Sequence, residues 1–144
     1  MNITIEKGYK TKMDEQQKQP VMYIFINKGV KMSTGKMISQ GAHAACEAVR
    51  ISRPEMVKAW NEFGFYTKMV MEARDGNHLK DIQKYLEDRG VRSTLIIEEG
   101  RTEIAPHTPT ALGVEIVDKN ESGPIFQEFN LFKDKIKVTL EFER

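Results

Sequence analysis

VMYIFINKGVKMSTGKMISQGAHAACEAVR, residues 21–50, is the stretch that decides the fold. Val21 to Asn27 is almost wholly apolar and rich in Val, Ile, Tyr and Phe, the composition of a central strand covered on both faces. A helix follows it. Ser33 or Thr34 can cap that helix, and Ile38, Ala42, Ala45 and Val49 recur at i, i+4, i+7 and i+11, which predicts one apolar stripe facing the sheet. Gly41, Ala42, Ala44, Ala45 and Ala48 keep the helix thin, so that it can lie close on the strands.

Outward from this βα unit the pattern repeats. Pro54 suits the first turn of a second helix, with Met56, Val57, Trp60 and Phe63 at helical spacing before Gly64 stops it. Tyr66 to Ala73 reads as a strand. Asp75 or Asn77 caps a helix that turns Leu79, Ile82, Tyr85 and Leu86 inward and ends at Gly90. Ser93 to Ile97 and Thr110 to Val117 read as strands joined by a loop, and Ile125, Phe126 and Phe129 as a short last helix after the turn from Asp118 to Pro124. The expected architecture is α/β, with a mixed, mostly parallel sheet of about four core strands and helices on both faces. Residues 7–20 are polar and aperiodic, a linker or loosely held arm. At the far end Ile136, Val138, Leu140 and Phe142 alternate with polar residues, and Ile3 and Ile5 do so weakly, so the termini are expected to add edge strands.

The chain has 144 residues, 40% hydrophobic and 30% charged, with a net charge of +1, which fits one soluble domain. The lone Cys46 cannot form an internal disulfide, and the opening MNITIEKGYK lacks a secretory apolar run, so a reducing cytoplasm is expected. No apolar run approaches the ~20 residues of a membrane span. Charge is uneven: residues 21–60 hold six basic and two acidic side chains, and residues 92–144 seven and ten. Within the positive quarter, Lys28, Lys31 and Lys36 crowd a loop and a helix start, either an anion site or an ordinary solvated face.

Gly29 to Lys36 (GVKMSTGK) imitates a phosphate loop but fails as one, because five residues separate its glycines and Met37 stands where a Mg²⁺-binding hydroxyl belongs. A helix N-terminus beside Lys36 remains, which favours phosphate or a developing oxyanion. Lys36, Gln40, His43 and Glu47 share one face of the helix, read either as a solvated face stitched by pairs such as His43 with Glu47, or as a row along an active or RNA-facing surface. His43, Cys46 and His107 make a poor metal set, and Cys46 is expected in the core. His78 reads as surface, and no G-x-S-x-G nucleophile motif is present. The loop from Glu98 to Thr110 is richer in polar groups than a short connection needs, at the strand ends where α/β sheets place ligands; a local pairing of Arg101 with Glu103 is the plainer reading.

Two segments, Lys31 to Ala45 and Leu95 to Thr110, closely resemble the type 2 peptidyl-tRNA hydrolase family. Its helix pattern G-K-[apolar]-x-x-Q-x-x-H-A is matched by Gly35, Lys36, Met37, Gln40, His43 and Ala44. Its loop pattern D-A-G-x-T-[EQ]-I-x-P-G-T-x-T is matched at Gly100, Thr102, Glu103, Ile104, Pro106, Thr108 and Thr110. The likeness covers residues 20–132, leaving 1–19 and 133–144 as extensions. The resemblance implies hydrolysis of the ester between a peptide, or an N-blocked amino acid, and tRNA, with no metal or other cofactor. It implies a catalytic cluster of Lys36, Glu98, Thr102 and Thr110, with Gln40, His43, Lys28, Lys31, Arg101 and Thr108 against the substrate. In it Lys36 stabilises an oxyanion or a phosphate, or pairs with Glu98; Glu98 orients or deprotonates water; the threonines hold water and carboxylate. A homodimer is implied too.

There are departures. Glu98 stands for the family's Asp, Glu99 for a small residue, His107 for a Gly and Thr34 for a frequent second lysine. They keep a second reading open, a non-catalytic tRNA- or protein-binding module on the same fold, and a third, hydrolysis of another acyl ester of tRNA.

Overall fold

Every residue of β1 (Pro20–Asn27) is buried, as a strand apolar on both sides requires. The computed structural model describes residues 18–100 and 104–134. After β1 come α1 (Thr34–Ile51), α2 (Pro54–Glu62), β2 (Lys68–Ala73), α3 (Gly76–Glu87), β3 (Ser93–Glu98), β4 (Thr108–Val114), β5 (Val117–Asp118) and α4 (Lys119–Phe126). The alternation of β1 builds two cores. Val21, Tyr23 and Phe25 pack with Leu79, Ile82 and Leu86 of α3 and with Phe126 of α4, while Met22, Ile24 and Ile26 pack with Ala44 and Ala48 of α1 and Trp60 of α2. Tyr23 stacks on Phe126 with ring centroids 3.8 Å apart. Helices cover both faces, as expected.

The sheet runs β2-β1-β4-β3, with β5 paired to the start of β1. Only β1 and β2 are parallel; β1 with β4, β3 with β4 and β1 with β5 are antiparallel, which corrects the mostly parallel expectation. The reason is the connection between β3 and β4. A parallel pair needs a crossover of a dozen or more residues, usually helical, and only nine residues separate Glu98 from Thr108, too few for anything but a return in the opposite direction. The last helix also begins earlier than expected. Asp118 caps it by accepting the Asn120 N–H, and Pro124 lies inside it rather than ending a turn. The proposed terminal strands fall outside the described residues. Among the described residues no helix is long and apolar enough to cross a membrane.

α1 meets the sheet through its smallest side chains. Its buried residues are Gln40, Ala44 and Ala48; of the predicted stripe, Ala45 and Val49 pack against the same core, whereas Ala42 is exposed and Ile38 is 67% exposed, so the true contact is offset from the stripe. Gly113 of β4 explains the offset, since a Cβ there would lie 2.1 Å from the Ala44 carbonyl oxygen. Gly113→Ala should therefore lift α1 and cost about 1–3 kcal/mol, as overpacked sites do, read as a lower urea midpoint with unchanged slope. An unchanged midpoint would mean that α1 is not held this closely.

Candidate active site

Lys36 breaks a local rule. It occupies the first turn of α1, where the helix dipole disfavours a cation, no acidic side chain shares that turn, and its side chain is only 13% exposed. What holds it is Glu98, the last residue of β3, whose carboxylate is 5% exposed and forms an ion pair with Lys36 Nζ. The Gly100 N–H donates to the other oxygen, Glu98 Oε1, at 3.1 Å. Ser33 makes the expected cap, its Oγ accepting the Lys36 N–H at 3.2 Å. The head of α1 and the end of β3 thus meet in a buried, charge-matched pair.

Thr110 joins them through an irregularity. Ile96 pairs with Ala111 but Ile97 pairs with Pro109, so Thr110 is the extra residue of a β-bulge. Strict alternation would turn Thr110 away from Ala111, which faces α1; the bulge turns it towards α1 instead. Its hydroxyl donates to Gln40 Oε1 at 2.6 Å, and both residues are buried. Thr110→Val keeps the shape but leaves that buried carbonyl without its donor, so a loss of about 1–3 kcal/mol is expected. Thr110→Ser should restore it, and equal urea midpoints for valine and wild type would refute the contact.

Two left-handed residues shape the described part of the loop between β3 and β4. Gly100 has φ +80°, and a Cβ on it would stand 2.8 Å from Pro106. His107 holds φ +64°, the conformation that glycine adopts freely, so the chain path is kept at a cost of about 1–2 kcal/mol. Its N–H donates to the Glu98 carbonyl at 2.6 Å, closing the loop beneath the carboxylate. Thr108 turns its hydroxyl to the Ala105 carbonyl. Arg101, Thr102 and Glu103 lie outside the described residues.

The remaining expected site residues separate. Lys28 pairs with Glu72 at 2.8 Å and donates to the Lys133 carbonyl, so it does not join Lys36 in one anion site. Lys31 and His43 are exposed, and Glu47 pairs with Arg50 rather than with His43. Cys46 is exposed, not in the core, because the sheet-facing positions of α1 go to Ala44 and Ala48. His78 is partly exposed, in keeping with a surface position; its Nδ1 accepts the Arg74 N–H, and partial burial, with Arg74 beside it, holds the imidazole pKa below its ordinary value. Among the described residues no group of three or more His, Cys, Asp or Glu could hold a metal ion.

One organising residue escaped the sequence reading. Asn27, 3% exposed, accepts the Gly29 and Val30 N–H groups with Oδ1 and donates from Nδ2 to the Pro109 carbonyl at 2.8 Å. It ties the loop leading to α1 to the residue preceding Thr110. A polar residue closing an apolar strand just before a glycine was its only signal.

Fold and site define an α/β protein with a lysine–carboxylate centre at the head of a helix, set against a bulged strand. The family profile described as peptidyl-tRNA hydrolase PTH2 matches residues 20–132. A peptidyl-tRNA hydrolase of Thermococcus onnurineus is 39% identical over 102 residues, covering 65% of this chain and 86% of that protein. One of Pyrobaculum aerophilum is 34% identical over 108 residues, 68% of this chain and 89% of that protein. The Bos taurus protein named peptidyl-tRNA hydrolase 2, mitochondrial, is 32% identical over 106 residues, and the chain spans 59% of its length. This chain belongs to the peptidyl-tRNA hydrolase PTH2 family.

Proposed function

We propose that this protein hydrolyses the ester between a peptide, or an N-blocked amino acid, and the terminal ribose of tRNA, without a metal or other cofactor. The observation that carries the reading is the buried Lys36–Glu98 pair. A cation placed against the helix dipole and an acid buried to 5% exposure are costly to keep for stability alone, and both suit a reaction that develops an oxyanion. In this reading Glu98 accepts a proton from water while Lys36 and the first-turn amides of α1 receive the negative charge on the carbonyl oxygen. Gln40 and Thr110 fix α1 against β4 so that both partners stay in register, and Thr102 completes the cluster. Lys31, beside the head of α1, supplies a phosphate contact, with His43, Arg101 and Thr108 around the acceptor end. The proposed compartment is the cytoplasm.

The test is single-turnover release of tRNA from an N-blocked aminoacyl-tRNA, with and without chelator and over a salt series. Chelator-resistant release that weakens with salt is the expected result, because tRNA binding depends on phosphate neutralisation. Salt-dependent tRNA binding with no ester cleavage would establish the binding module instead.

A further inference from the structure

We infer that residues 135–144, outside the described part of the chain, lay Ile136, Val138, Leu140 and Phe142 into an apolar groove between α1 and β2. The groove follows from how α1 sits. Its closest packing is on β4, β3 and β1, so the α1 face of the outermost strand β2 is left open. The space there is about 600 Å³, walled by Ile24, Ile26, Ile38, Ala42, Cys46 and Val70. Ile38 is 67% and Val70 42% exposed, a contiguous apolar surface of the kind that marks an interaction site.

The chain itself arrives at this groove. The Glu72 N–H donates to the Asn130 carbonyl and the Phe132 N–H to the Val70 carbonyl, which pairs the chain antiparallel to the outer edge of β2 around Met71 and Leu131. Phe132 lies on the groove wall and packs with the α1-side core. The Lys133 carbonyl then accepts from Lys28 Nζ. Three residues later the sequence supplies four apolar side chains in strict alternation, with Lys137, Thr139 and Glu141 between them. The lengths agree. From Met37 to Cys46 the groove runs about 14 Å along α1, at 1.5 Å per residue, and an extended run from Ile136 to Phe142 covers about 20 Å, at 3.3 Å per residue. Docked this way the segment buries its apolar row and keeps its charged row in water.

Cys46, the chain's lone cysteine, stands on the groove wall and reports occupancy. The experiment measures the rate of Cys46 modification by a small thiol reagent in the full chain. It compares wild type with Val138→Asp, Leu140→Asp and the opposite-row control Thr139→Asp, each confirmed folded by circular dichroism, at two protein concentrations. Val138→Asp and Leu140→Asp should each raise the rate about tenfold or more by releasing the segment. Thr139→Asp should change it less than about twofold, as surface substitutions do, and dilution should leave wild type unchanged. Equal rates in all four proteins would overturn the inference, and so would a wild-type rate that rises on dilution, which would assign the groove to a second copy of the chain.

Discussion

Replacing Lys36 by alanine is expected to slow single-turnover release of tRNA by about 10²-fold or more, the loss that follows removal of one oxyanion donor from a water-poor site. The size rests on the surroundings of the ammonium, which is 13% exposed and pinned to Glu98 at the head of α1. A surface lysine would be screened and replaceable. The same substitution leaves the Glu98 carboxylate buried without its counter-charge, so stability should also fall by about 3–5 kcal/mol. The two effects can be separated. Lys36→Met combined with Glu98→Gln removes both charges, and such replacements of a whole buried pair restore stability. The double variant should therefore melt near wild type while releasing no more tRNA than Lys36→Ala. Turnover near the wild-type rate in Lys36→Ala would remove the lysine from the chemistry.

The helical cap, the buried central strand and the turn glycines were legible because each depends on a few neighbouring residues. Ser33, Asp75, Pro54 and Gly90 stand where capping and turn chemistry put them. Strand direction is a property of connections, and the shortness of the link between Glu98 and Thr108, nine residues, already carried it. The offset of α1's stripe, which leaves Ile38 and Ala42 exposed, has a different cause. Hydrophobic weighting favours Ile38 over Ala44, whereas the sheet selects the smallest side chain because Gly113 brings β4 against the Ala44 carbonyl. The same weighting places Gln40 on a polar face. Its burial depends on Thr110, 70 positions away, turned inward by a bulge that alternation alone does not reveal. The Lys36–Glu98 pairing was an open alternative in the sequence, and geometry selects it. The resemblance reached these residues by pattern, but Asn27, which holds their two elements together, had no pattern to reach it by.

Glu98 is the residue whose chemistry and length can be tested apart. Glu98→Gln keeps the shape and retains an oxygen to accept the Gly100 N–H, but removes the charge opposite Lys36 and the capacity to take a proton from water. Release should fall by about 10²–10⁴-fold, the range of a lost general base, and tRNA binding should persist, since phosphate contacts lie elsewhere. Glu98→Asp keeps the charge and draws it back by one methylene. Here the loop decides the result: the Gly100 N–H stands two residues from the carboxylate, and Lys36 reaches it along a flexible stem. The ammonium can follow a shorter acid, so Glu98→Asp should retain release within about tenfold of wild type, a loss of no more than about 1.4 kcal/mol in barrier height. Faster release by Glu98→Asp would show that the longer acid detunes the site. Unchanged release by Glu98→Gln would exclude the carboxylate as the base, leaving it to hold Lys36 in place.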